Sequence, residues 1–209
     1  MARRLGSAFK TGFYAFCVGV SRILLVLFFR LRIKGRDNVR PEDTYVAVAR
    51  HRSYWDILVV AAALGVRNRI HFIARKGLLK AVPLVQPIIR AYSTVIDRDN
   101  FGLKDFRLML DAVKRERLVF IFPEGTTRNR VDAKGGAVYF ALAAGKRILP
   151  INIQAVGPYP PRYPFRFPRL TVSIGKPLDP SELETETAAN RSERLHDMSE
   201  RLMVRVDNA

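Results

Sequence analysis

Cysteine is all but absent from this 209-residue chain, where Cys17 stands alone. A single thiol excludes an intrachain disulfide and a zinc site built from four cysteines, and its place in an apolar run predicts a small buried side chain. Histidine is nearly as scarce, with three in all, so each is a candidate for proton chemistry near neutral pH. Nucleotide-binding signatures are missing as well. Lys134-Gly135-Gly136 lacks both the glycine spacing before the lysine and the Ser or Thr after it, which excludes a P-loop. No glycine-rich dinucleotide fingerprint, zinc-finger spacing or RNP-like aromatic motif is present, so no nucleic-acid partner and no bound metal or cofactor is expected. No internal repeat is visible.

Acidic residues are also in short supply. There are 19 Asp and Glu against 36 Lys and Arg, a formal net charge of +17. Such an excess suits a polyanionic partner, for which an anionic membrane surface is the expectation, with solubility by like-charge repulsion as the plainer account. Apolar residues at 48% and charged residues at 26% are globular proportions, and the length fits one domain with a full core. The basic excess is uneven. Ala133–Leu178 holds seven basic residues and no acid, whereas from Asp179 onward eight acids outnumber four bases.

Residues 1–40 carry nine basic groups and one acid, Asp37. Within them Gly12–Phe29 is apolar except for Ser21 and Arg22. A spanning helix needs about 20 apolar residues, and a mid-helix arginine costs roughly 2.5–3.5 kcal/mol on insertion. Basic groups flank both ends, and Phe28-Phe29-Arg30 is no signal-peptide cleavage site. These features predict a helix lying in one leaflet, with Phe13, Phe16, Val20, Ile23, Leu24 and Leu27 on one face. A helix packed on the domain and a true span are the alternatives.

A membrane-associated segment over 1–31 and a globular domain over 32–209 follow. Arg32–Lys34 reads as a short strand, then a turn through Gly35 to Asp43. Residues 44–49 read as a buried strand, and a helix starting near Ser53 should close at Gly65. Further strands are predicted over His71–Ala74, 93–97, Leu118–Phe122, Ile148–Val156 and Leu170–Ile174. Helices are predicted over Phe101–Arg117, with Phe106, Met109, Leu110 and Val113 on one side, over Ala137–Ala144, and over about 190–206. Alternating strands and helices imply a single α/β domain with a mostly parallel central sheet flanked by helices. Gly157–Arg169, rich in Pro, Tyr, Phe and Arg, reads as a loop with an aromatic and basic surface.

Two segments follow apolar strands, where ligands bind in α/β sheets. The first is Arg50-His51-Arg52-Ser53-Tyr54-Trp55-Asp56. His51 suits proton abstraction from a hydroxyl, and Asp56, five positions on, is within reach of its far ring nitrogen. No protein nucleophile is required if the acceptor's own hydroxyl attacks. Ser53 and Asp56 also have capping-box spacing, so Asp56 has an ordinary structural use open to it. The second segment is Phe122-Pro123-Glu124-Gly125-Thr126-Thr127-Arg128-Asn129-Arg130. Arg128 or Arg130 can grip a phosphate in bidentate fashion, and Glu124 can accept from a glycerol hydroxyl or hold one of those arginines. A polar loop of solvated charges is the plainer reading. Arg75-Lys76-Gly77 adds positive charge at what should be the same sheet edge.

His51-x4-Asp56, Arg75-Lys76-Gly77, Phe122-Pro123-Glu124-Gly125-Thr126 and Leu149-Pro150-Ile151 occur in the order and approximate spacing of the glycerolipid acyltransferases. Over residues 32–175 the chain resembles that family, and most of all its bacterial 1-acylglycerol-3-phosphate (lysophosphatidic acid) acyltransferases. The resemblance implies acyl transfer from acyl-CoA or acyl-carrier protein to the sn-2 hydroxyl of a lysophosphatidic acid, giving phosphatidic acid. His51 would be the base and Asp56 its partner. Glu124, Gly125, Thr126, Arg128 or Arg130, Arg75 and Lys76 would serve the acceptor's phosphate and glycerol, and Pro150 would shape the pocket. It also implies a peripheral or monotopic place on the cytoplasmic face of the cell membrane. Three departures stand out: Arg50 where asparagine is frequent, Thr127 inserted before Arg128, and no glycine in the Leu84–Ala91 stretch that follows Pro83. Glycerol 3-phosphate or another lysophospholipid is the alternative acceptor. A non-catalytic basic module binding lipid or nucleic acid is the non-enzymatic alternative.

Overall fold

The computed structural model describes residues 2–81, 85–123, 135–162, 166–184 and 190–209. Its centre is a seven-stranded sheet. In chain order the strands are β1 (Arg32–Lys34), β2 (Tyr45–Val48), β3 (His71–Arg75), β4 (Ser93–Ile96), β5 (Leu118–Ile121), β6 (Arg147–Val156) and β7 (Arg169–Ile174). Spatially they run β1-β7-β6-β2-β5-β3-β4, and every neighbouring pair is parallel except β6 with β7. The expected mostly parallel α/β domain is what forms.

β2 and β5 lie at the middle of the sheet with helices over both faces, which is why all eight of their side chains are buried and none alternates with a polar residue. One apolar cluster gathers Tyr45, Ala47, Leu118 and Phe120 under α1 (Ala2–Phe29) and α2 (Trp55–Leu64). A second gathers Val46, Val48, Val119 and Ile121 under α5 (Leu103–Arg115), α6 (Gly136–Ala144) and α7 (Arg191–Asp207). α5 buries Met109, Ala112 and Val113 and packs Phe106 and Leu110 beside them, the stripe its 3.6-residue period sets. α7 begins where the Asn190 side chain accepts the Glu193 amide at 2.9 Å, and buries Met198, Leu202, Met203 and Val206.

Two short helices in the middle of the chain escaped the sequence reading: α3 (Lys76–Ala81) and α4 (Gln86–Tyr92). Each is under two full turns, too short for a helical period to declare itself, and Pro87 sits in the first turn of α4. Gly35 makes the tight exit from β1 possible. Its φ is +71°, and a Cβ there would stand 2.0 Å from the Ile174 carbonyl oxygen.

α1 is the unusual element. It ends where Arg30 takes a left-handed conformation and the Leu31 amide returns to the Leu25 carbonyl at 3.2 Å. Tyr14, Val18, Leu25 and Phe29 are buried against the domain, each contributing about 1.5–3 kcal/mol by leaving water. The other face is uncovered. Phe13, Phe16, Val20, Ile23, Leu24 and Leu27 are all exposed, as are Phe9, Val26 and Phe28. Only 22% of the apolar window is buried, so packing on the domain accounts for a minority of it. Soluble surfaces rarely show so large an unbroken apolar patch.

Candidate active site

β2 delivers the chain to its C-terminal edge at His51, and α2 begins four residues later. Asp56 is the second residue of that helix and is 1% exposed. One of its oxygens, Oδ2, accepts the Arg52 amide at 2.7 Å and the Ser53 amide at 2.8 Å, and lies 3.1 Å from His51 Nδ1. Ser53 Oγ in turn accepts the Trp55 amide at 3.2 Å. Capping the turn and holding the imidazole are therefore not rival uses of Asp56. The oxygen that closes the turn also holds the imidazole. With Nδ1–H donating to the carboxylate, Nε2 carries the lone pair that a general base needs.

The imidazole is fixed by packing as well. Its ring stacks on Phe122 with centroids 4.0 Å apart and planes at 20°, and Tyr54 meets it edge-on at 6.5 Å. Phe122 opens the segment expected to bind phosphate, and its contact with His51 follows from the adjacency of β2 and β5 in the sheet. The other Asp56 oxygen, Oδ1, accepts the Tyr159 hydroxyl. Tyr159 is 103 residues further on, in the loop after β6, and no motif spacing points to it. Burial, and then the Asp56 carboxylate, push its phenol far above its ordinary value, so it stays a donor.

His51 opens into a cavity of about 1010 Å³, large for a ligand site and lined mainly by apolar side chains. Its apolar lining includes Val18, Leu58 and Ile89, and also Phe106, Met109 and Phe140. Cys17 lines this space and is only half-buried, which corrects the expectation of a plain core residue. Arg75, at the end of β3, also lines it and donates to Tyr54 OH at 3.4 Å. Lys76 turns elsewhere, to Asp97 at 3.4 Å. Arg98 joins Arg75 at the cavity, and partial burial followed by the neighbouring Arg75 charge lowers its guanidinium below the usual range. The sequence reading passed over Arg98, although a charged residue just beyond β4 falls on the same strand-end edge.

Pro150 is in the interior of the sheet, paired with Val48, three residues before His51. A Cβ on Gly175 would come within 2.9 Å of its ring. It supports β2 and is not among the described residues lining the cavity. Glu124, Gly125, Thr126, Arg128 and Arg130 lie outside the described residues. Their flanks are inside: Pro123 and Gly135 both line the cavity. Of the other histidines, His71 starts β3 at the far edge, with Nε2 2.9 Å from Thr94 Oγ1, and His196 lies on α7, 3.6 Å from Glu200.

A buried carboxylate holding an imidazole beside a large, mainly apolar cavity suits acyl transfer. A family model described as Acyltransferase matches residues 30–154, more than half of the chain, and the protein belongs to the acyltransferase family. Similar proteins include a 1-acyl-sn-glycerol-3-phosphate acyltransferase of Bacillus subtilis, 25% identical over 92% of this chain and 94% of that one. A protein of the same description from Streptococcus pneumoniae is 30% identical over 72% of this chain and 58% of its own length. A lyso-ornithine lipid O-acyltransferase of Pseudomonas aeruginosa is 30% identical over 65% of this chain, which spans about half of it. In fold, the chain matches the 1-acyl-sn-glycerophosphate acyltransferase of Thermotoga maritima with a TM-score of 0.64, covering 99% of this chain and 90% of that one at 19% identity.

Proposed function

We propose that this acyltransferase moves an acyl group from acyl-CoA or acyl-carrier protein to the sn-2 hydroxyl of 1-acyl-glycerol 3-phosphate, forming phosphatidic acid. The observation that carries the reading is the His51–Asp56 pair opening into an apolar cavity with two arginines at its wall. His51 Nε2 takes the proton of the acceptor hydroxyl as its oxygen attacks the thioester carbonyl. The C–S bond then breaks, and the imidazolium returns its proton to the departing thiolate, so no acyl-enzyme forms and no bound cofactor takes part. Asp56 stabilises the imidazolium while the charge is present.

The acceptor phosphate is assigned to Arg75 and Arg98, with Glu124, Gly125, Thr126 and Arg128 or Arg130 beside it. In support, Pro123 and Gly135, the described residues that flank this segment, both line the cavity. The uncovered face of α1, with basic groups at both of its ends, fits a peripheral or monotopic seat on an anionic cytoplasmic leaflet. The Pseudomonas relative favours a second acceptor, a lyso-ornithine lipid.

A thiol-release assay over a panel of acyl-CoAs, acyl-carrier proteins and lysolipid acceptors tests the reading. The expected result is release that depends on lysophosphatidate. Release with a lyso-ornithine lipid alone would move the assignment to that acceptor, and no release with any pair would remove it.

A further inference from the structure

A carboxylate anchored through one oxygen can still turn about its terminal torsion, where the energy surface is broad. In Asp56 the Arg52 and Ser53 amides and the imidazole itself all meet Oδ2. Oδ1 accepts instead from the hydroxyl of Tyr159, which belongs to a different part of the chain. We propose that Tyr159 is a positioning residue for acyl transfer, fixing the plane of the Asp56 carboxylate so that Oδ2 stays aligned with His51 Nδ1 while the imidazole gains and loses its proton.

The surroundings of Tyr159 are built for this. Its loop is pinned by Phe167, whose ring packs 5.4 Å from Phe28 and 5.1 Å from Phe29 at the end of α1. Phe29 meets Trp55, the first residue of α2, at 5.0 Å. Tyr159 itself packs against the same apolar cluster. The loop that carries the hydroxyl and the helix that carries Asp56 are thus braced against one body. If Tyr159 merely filled space, its ring would suffice and its hydroxyl would be dispensable. A hydroxyl aimed at the second oxygen of the carboxylate that holds the base has a consequence only through that carboxylate.

The kinetic arm of the test rests on the acyl-transfer reading, and a spectroscopic arm does not. Full-length parent, Tyr159→Phe, Asp56→Asn and the double variant are compared in detergent for thiol release and melting temperature. Loss of one hydrogen bond to a charged group should lower kcat about 10-fold in Tyr159→Phe, with acceptor and donor KM within about 2-fold of parent. In the Asp56→Asn background the same change should cost nothing more, because the hydroxyl acts through Asp56. A kcat within about 2-fold of parent, or an equal loss in both backgrounds, overturns the proposal. Proton NMR of the substrate-free enzyme supplies the second arm. The low-field Nδ1–H signal of His51, identified by its loss in His51→Ala, should shift or broaden in Tyr159→Phe. An unchanged signal overturns the proposal whether or not any acceptor is turned over. Should Tyr159→Phe fail to fold, 3-fluorotyrosine at position 159 keeps the shape and makes a stronger donor, and the same signal must then move; if it does not, the proposal falls.

Discussion

Arg50 grips Asp207 with two parallel hydrogen bonds, Nε to Oδ1 and Nη2 to Oδ2, each 2.6 Å long. This clamp joins the last residue of α7 to the residue immediately before His51. The main chain adds a second tie, since Asn152 Nδ2 donates to the Asp207 carbonyl at 2.7 Å. Arg50 thereby anchors the turn that carries His51 to the C-terminal helix.

Breaking that clamp should cost little stability and more activity. Both groups are partly exposed, so Asp207→Asn is expected to lose about 0.5–1 kcal/mol. Thiol release should fall several-fold, because the backbone leading into His51 loses its tether. Chemical denaturation and kcat, measured on one preparation, check the two halves.

Asp56 should matter far more. It is buried and accepts four hydrogen bonds, so Asp56→Ala leaves several donors without a partner and should destabilise by about 2–4 kcal/mol. Asp56→Asn keeps the shape but favours the wrong tautomer of His51, and kcat should fall by about 10²–10⁴-fold. Circular dichroism melts and steady-state rates separate the two effects.

α1 makes opposite predictions for its two faces. Leu25→Ala removes a fully buried side chain and should cost about 2–5 kcal/mol in the melt. Phe16→Ser, Ile23→Ser and Leu27→Ser together alter only exposed positions. The triple variant should melt like the parent and yet lose sedimentation with anionic vesicles.

His71 sets a pH dependence of stability. Burial lowers its pKa, with Glu116 opposing and Arg115 and Arg69 assisting. The unfolded chain therefore takes up a proton more readily than the native one, and stability should decline as pH falls below about 6.5, the ordinary histidine value. Above that pH both states are neutral and the effect vanishes. His71→Gln should flatten the melting profile between neutral and mildly acidic pH.

How much of this was written plainly in the sequence depends on the range of each interaction. β2 and β5 declare themselves because both of their faces are buried, and α5 and α7 because a long amphipathic helix repeats its pattern. α3 and α4 are too short to do so. At the site, His51 and Asp56 are legible because a turn brings residues five apart together. Arg75 is legible because it ends a strand at the same edge. Tyr159 and Asp207 are not, since they reach the turn from 103 and 157 residues away through loop and helix geometry that no local spacing encodes. The exposed face of α1 was visible beforehand as an apolar stripe, and the structure adds that the stripe and the buried anchors are different residues. Asp56 looked like a choice between cap and catalyst, and one oxygen serving both could be seen only with the atoms in place.

The central claim is that His51 is the base. The most direct test is the rate of acceptor-dependent thiol release by His51→Ala beside the parent, with both shown to be folded by their melts. The expected kcat is lower by at least about 10²-fold. A folded His51→Ala variant that turns over near the parental rate contradicts it.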